Sequence, residues 1–261
     1  MTHAKYLKRA AGFLGLTALL VACASGKDEM LLSGYDYAIA ETQAMQDDDI
    51  DNPAFIFYDI GEDQWSKVDG DAGKSCAECH GADGSSLKGV SISYPKYNEE
   101  DGKLRAIQDE INNCRTKRMK AKAWKWESDN MLGMAIFVKK QSRGMPLNVS
   151  IAGKAAPFYE KGKAFYNERR GGLDLACKHC HTDYAGMHIR ANVLTSGLPN
   201  GFPTYRLKWQ KPGSLHRRFR GCNTNVRSEP YKQGSDEYTN LELYLSHRAN
   251  GLPNETPSVR N

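Results

Sequence analysis

Cysteine and histidine recur in this chain at a spacing suited to one kind of chemistry. Cys177-Lys178-His179-Cys180-His181 holds two thiols three positions apart and an imidazole directly after the second. That arrangement attaches a c-type haem through two thioethers and sets the histidine under the ring as an axial ligand to iron. Cys76-Ala77-Glu78-Cys79-His80 repeats it 101 positions earlier. Zinc half-sites would share the paired cysteines, but zinc asks for four ligands closing a tetrahedron, and here each pair runs straight into a histidine. The pattern predicts two covalently attached haem c groups, with Cys76, Cys79, Cys177 and Cys180 as thioether residues and His80 and His181 as proximal ligands.

The elements that must position these residues repeat as well. Gly61 and Trp65 precede Cys76 by 15 and 11 positions, and Gly162 and Tyr166 precede Cys177 by the same two offsets. A glycine and an aromatic one turn apart predict a short helix leading into each motif, the glycine allowing close approach to a second helix. Downstream, Cys114 comes before the apolar run Met131–Phe137, read as amphipathic, and then Gly144-Met145-Pro146. Cys222 comes before Leu241–Leu245 and then Gly251-Leu252-Pro253, and cysteine-to-glycine distances are 30 and 29 residues. Each half therefore reads as helix, haem motif, long loop, cysteine, helix and Gly-x-Pro stop. This is similar to the class I cytochrome c fold twice over. The expected architecture is mainly α, with two tandem cytochrome c-like domains at 56–150 and 151–261 behind an N-terminal extension at 23–55 that packs on the first domain.

The first 22 residues read as an export signal. Lys5, Lys8 and Arg9 precede an apolar run from Ala10 to Ala22 broken only by Gly and Thr, and nothing after Cys23 is long and apolar enough to span a bilayer. The run ends Leu20-Val21-Ala22-Cys23, which is similar to a bacterial lipobox, so a lipid anchor on Cys23 and a periplasmic location are expected; ordinary cleavage after Ala24 is the alternative. Removing those three cations lowers the net charge from +5 to +2, too little to point to nucleic acid.

A haem iron in an electron-transfer site takes a second axial ligand, often Met. Met145 in Gly-Met-Pro is the obvious candidate, but its counterpart in the repeat is Leu252, which cannot bind iron. The capable residues that do correspond are Cys114 and Cys222. They are also the two cysteines left of seven once the motifs and Cys23 are assigned. A disulfide between them is the structural alternative. Met187 and His188 follow His181 too closely to reach round a porphyrin with ease and read as core or rim. Thiolate ligation would hold both irons ferric and lower their potentials.

Arg217, Arg218, Arg220 and Arg227 all lie within five residues of Cys222. Guanidinium forks bind multi-oxygen anions, and positive charge favours thiolate, so an oxyanion substrate at this sulfur is one reading and a solvated basic loop the other. From about residue 55 to the end the chain resembles the dihaem SoxA family, the A subunits of SoxAX sulfur-oxidation cytochromes. The residues that carry the resemblance are both C-x-x-C-H motifs, Cys114, Cys222, Arg218 four positions before it, and Tyr244-Leu245-Ser246-His247-Arg248 with Gly-Leu-Pro. The resemblance implies an L-cysteine S-thiosulfotransferase, which oxidatively couples thiosulfate to a cysteine on the SoxY arm of the SoxYZ carrier. Two electrons would pass to haem, and a monohaem SoxX would complete a heterodimer. It implies axial pairs His80 with Cys114 and His181 with Cys222, a catalytic Cys222 carried as a persulfide, and Arg218 as the substrate-binding residue. A tetrathionate-forming thiosulfate dehydrogenase and a plain dihaem electron carrier are the alternatives; the carrier would not need the arginines, and the dehydrogenase would need no protein thiol.

Overall fold

Two helix pairs frame the molecule. The computed structural model describes residues 31–261, so the expected signal segment and Cys23 lie outside the described residues. The first half holds α1 (Ala40–Asp47), α2 (Phe55–Ser66), the short α3 (Cys76–His80), strands β1 (Lys96–Asn98) and β2 (Lys103–Arg105), α4 (Ile107–Asn113) and α5 (Asp129–Lys140). The second holds α6 (Ala156–Asn167), β3 (His188–Ile189), β4 (Asn192–Val193), β5 (Thr204–Arg206), β6 (Lys211–Gly213), α7 (Leu215–Asn225), α8 (Asp236–Arg248) and β7 (Ser258–Arg260). Where α2 crosses α5, a Cβ on Gly61 would lie 2.3 Å from the Gly133 carbonyl oxygen. Where α6 crosses α8, a Cβ on Gly162 would lie 2.0 Å from that of Asn240. The helices meet backbone to backbone at the two glycines that the repeat singled out, and only glycine permits that approach.

Two features differ from the expectation. The run Met131–Val138 is buried on every side rather than amphipathic. One side packs on Trp65 and Ile107, while beyond Lys139 lies a cavity shared with Phe202, Leu215 and Glu242 of the second half; a helix covered all round needs no polar face. The N-terminal extension packs on the chain's other end as well as on the first half. Gln46 Oε1 accepts from Val259 N (3.1 Å), Asn52 Nδ2 donates to Pro257 O (3.1 Å) and Thr42 Oγ1 to Asn261 Oδ1 (2.8 Å), while Arg143 in the first half reaches Asp49. The cause is β7, whose Val259 is wholly buried among Ala54, Tyr205, Met45 and Phe57. That strand completes a small sheet ordered β6-β5-β7, with β5 parallel to β7 and antiparallel to β6.

The two Gly-x-Pro segments pair with each other. Pro146 bridges Pro253, Gly144 N donates to Asn254 O (2.8 Å), Leu147 N to Leu252 O (2.9 Å) and Gly251 N to Leu147 O (3.0 Å). Apolar clusters such as Leu104, Val149 and Leu243 draw on both halves. No helix among the described residues is long and apolar enough to cross a membrane.

Candidate active site at the second haem motif

Each C-x-x-C-H motif begins at a capped turn, by different chemistry in the two halves. Ser75 caps α3: its hydroxyl accepts from Glu78 N (3.2 Å), and the Glu78 carboxylate accepts from Ser75 N (3.4 Å), a reciprocal capping box. Ala176 has no hydroxyl, and His179 Nδ1 accepts from Ala176 N (2.8 Å). His179 is thus occupied as a cap. The aromatic residue 11 positions before each first cysteine touches the residue just past the proximal histidine. Trp65 Nε1 donates to Gly81 O (2.9 Å), and the Tyr166 hydroxyl lies 2.8 Å from Thr182 Oγ1.

Cys114 and Cys222 reach these motifs through a shared backbone device. The turn before each motif bonds to the chain just beyond each downstream cysteine: Ala72 N donates to Met119 O (3.1 Å) and Asp71 N to Lys120 O (3.4 Å); Leu173 N donates to Val226 O and Gly172 N to Arg227 O, both 3.2 Å. The first copy is one residue longer because Cys114 opens a π turn, Cys114–Arg118, which inserts a residue relative to an α-helix. The thiols feel each other accordingly. Burial, then the neighbouring Cys114, pushes Cys76 up to about 11, and burial, then Cys222, pushes Cys177 up to about 12. All six described cysteines are unpaired, so Cys114 and Cys222 form no disulfide. The Met145 carbonyl accepts from Asn254 N (2.9 Å) within the Gly-x-Pro pairing. Met187, just before β3, and His188, on it, are exposed rather than part of a core.

The basic stretch at Cys222 is helix, not loop. Ser214 caps α7 by accepting from Arg217 N (3.1 Å), and Arg218 and Cys222 fall one turn apart on one face. Of the four nearby arginines, three are committed or remote. Arg217 stacks over Trp209 at 4.2 Å and lies 3.9 Å from Glu127, Arg220 donates to Tyr231 O, and Arg227 is exposed. Arg218 has no ion pair or side-chain hydrogen bond among the described residues. Burial pushes the Cys222 thiol up, but Arg218, His181 and Arg206 outweigh it and bring the pKa down to about 7. Arg206, on β5, has its own pKa lowered to about 10 by burial and by Arg218, with Cys222 opposing. Nothing local in the sequence pointed to Arg206, since the β5–β6 hairpin carries it in from 16 positions upstream of Cys222. At the first motif the balance reverses. Burial, then Glu110, pushes Cys114 up, and the Glu110 carboxylate lies 3.9 Å from its sulfur.

The residues present suit haem. His181 Nδ1 lies 2.7 Å from the Thr195 carbonyl, which fixes the proton on Nδ1 and leaves Nε2 free as a ligand. The ring lies against Gly197, where a Cβ would come within 2.9 Å of it. Imidazole and thiolate both bind iron. Two buried guanidinium nitrogens, Arg170 Nε and Arg248 Nη1, have no hydrogen-bond partner among the described residues, and such donors suit the carboxylates of a haem.

Comparison with known proteins bears on the family. A family profile described as "SoxA/TsdA, cytochrome c domain" matches residues 60–147. The L-cysteine S-thiosulfotransferase subunit SoxA of Rhodovulum sulfidophilum is 43% identical over 229 residues, 88% of this chain and 80% of the relative. That of Paracoccus pantotrophus is 44% identical over 232 residues, 89% and 80% of the two chains. The crystal structure of SoxXA from P. pantotrophus superposes with a TM-score of 0.85 at 44% identity, covering 88% of this chain and 87% of that one.

Proposed function

The chain belongs to the SoxA family, and from that premise we propose that it is an L-cysteine S-thiosulfotransferase coupling thiosulfate oxidatively to the arm cysteine of a SoxY carrier. The observation that carries this reading is Arg218, an uncommitted guanidinium one helical turn before a cysteine whose surroundings favour thiolate. In this proposal the halves 56–150 and 151–261 are each a c-type domain. Cys76 and Cys79 hold one haem and Cys177 and Cys180 the other, with His80/Cys114 and His181/Cys222 as axial pairs. Haem c, when bound, supplies a one-electron acceptor beside the reacting sulfur.

The chain's own residues do the rest. Arg218 holds the sulfonate end of thiosulfate by charge-assisted hydrogen bonds, with Arg206 adding positive potential behind it. The outer sulfur then faces the carrier thiol beside Cys222. One S–S bond forms, the thiol loses its proton, and two electrons leave, so thiosulfate and thiol give an S-thiosulfonate, a proton and two electrons. A monohaem SoxX, the partner named for the P. pantotrophus structure, would complete the heterodimer. Leu20-Val21-Ala22-Cys23 supports export to the periplasm with a lipid on Cys23.

The test is thiosulfate-dependent mass gain on the SoxY arm cysteine, with SoxX and an electron acceptor present. Arg218→Ala should keep both haems and their ligation yet lose roughly 30- to 1000-fold in rate, the cost of one charge-assisted contact used in the transition state. Wild-type speed in that variant would remove substrate from α7. Tetrathionate formed without SoxY would replace this activity with a dehydrogenase.

A further inference from the structure

The helix that carries Arg218 and Cys222 is fastened at its start by the other half of the molecule. The Ser214 hydroxyl, which caps α7, donates to the Glu127 carboxylate, and Ser214 N donates to it at 3.4 Å. Arg217 Nη1 lies 3.9 Å from Glu127 Oε2, and Lys211 just before the helix pairs with Asp129 at 2.9 Å. Trp126 stacks flat on His216 in the first turn of α7, with centroids 4.3 Å apart and planes 16° from parallel. His216 is completely buried. Its Nδ1 accepts from Gly234 N (2.9 Å) and its Nε2 lies 3.0 Å from Glu242 Oε2 of α8. Gly234 lets the indole in, since a Cβ there would come within 2.9 Å of Trp126 Nε1.

We propose that Trp126 and Glu127 are positioning residues for the reaction at Cys222, holding α7 in register so that Arg218 and Cys222 keep their orientation to substrate and to the second haem. The proposal rests on the function given above for its catalytic consequence. Neither residue touches the reacting sulfur. Each fixes the first turn of α7, Arg218 lies four residues after the cap, and Cys222 lies one turn further. A rigid helix transmits a shift at its first turn to the residues behind it, and a misplacement of about 1 Å costs up to roughly 100-fold in rate. The first half thereby acts in catalysis whether or not its own haem carries electrons.

Two mild variants test this in the full chain with both haems and SoxX bound. Trp126→Leu removes the stack while keeping an apolar side chain, and Glu127→Gln keeps the shape while removing the charge. The expected result is faster hydrogen exchange of the α7 amides with α2 and α6 unchanged. The low-spin signal of the second haem should shift while that of the first stays fixed, and kcat should fall roughly tenfold with little change in KM. If both variants leave α7 exchange and the second-haem signal as in the wild type, or disturb both haems equally, the proposal is overturned. Exchange and haem signal are read without thiosulfate, so failure of the clamp and failure of the assigned activity give different results.

Discussion

Cys114 and Cys222 occupy matching places in the two halves and sit in opposite electrostatic settings. Glu110 beside Cys114 works against its thiolate, whereas Arg218, His181 and Arg206 draw Cys222 toward it. Sulfur chemistry should follow that contrast. Cys114→Ala is expected to abolish the low-spin signal of the first haem and leave most thiosulfate-dependent turnover, while Cys222→Ala should remove both the second signal and turnover. Met145→Leu should leave both signals intact, since the counterpart of Met145 in the repeat is Leu252, which cannot bind iron; loss of one in that variant would make Met145 a ligand. The haem motifs were readable because their chemistry lies in five consecutive residues. Which arginine stays free was not readable, because Trp209, Glu127 and Tyr231, which occupy Arg217 and Arg220, are close only in the folded chain.

Helices were legible wherever a glycine, an aromatic and an apolar run kept their spacing, which is why α2, α5, α6 and α8 fall on the stretches that the repeat marked. The helix α7 was not. Half of its first six residues, Leu215-His216-Arg217-Arg218-Phe219-Arg220, are arginine, and its stability comes from the Ser214 cap and from Leu215 and Phe219 packing into the second core, as tertiary contacts override local charge. The close helix crossings offer a test at this scale. Gly162→Ala places a methyl 2.0 Å from the Asn240 carbonyl oxygen, so α6 must withdraw from α8. The expected cost is about 1–3 kcal/mol in chemical denaturation, with the Tyr166–Thr182 contact beside the second motif loosened. A variant as stable as the wild type would mean the two helices do not pack this closely.

Across the whole molecule, the halves meet at the paired Gly-x-Pro segments and at a cavity of about 20 Å³ lined by Tyr94, Gln108, Lys139, Glu242 and Ser246, room for about one water. A lysine there is costly to charge. Burial lowers the Lys139 pKa from 10.5 to about 8, with Glu242 opposing. Because the folded-state value lies below the unfolded one, the unfolded chain holds more protons between pH 8 and 10.5, and stability from this group rises with pH across that window. Below pH 8 the folded protein bears the full penalty. Lys139→Met keeps the length of the side chain, removes the charge and leaves Glu242 facing His216, 3.0 Å away. It should therefore add about 2–3 kcal/mol at pH 7, with the advantage over wild type shrinking as pH climbs from 8 toward 10.5. Urea denaturation of both proteins at pH 7, 9 and 10 reads the difference directly, and a gap that stays constant with pH would show that Lys139 carries no buried charge at the seam between the halves.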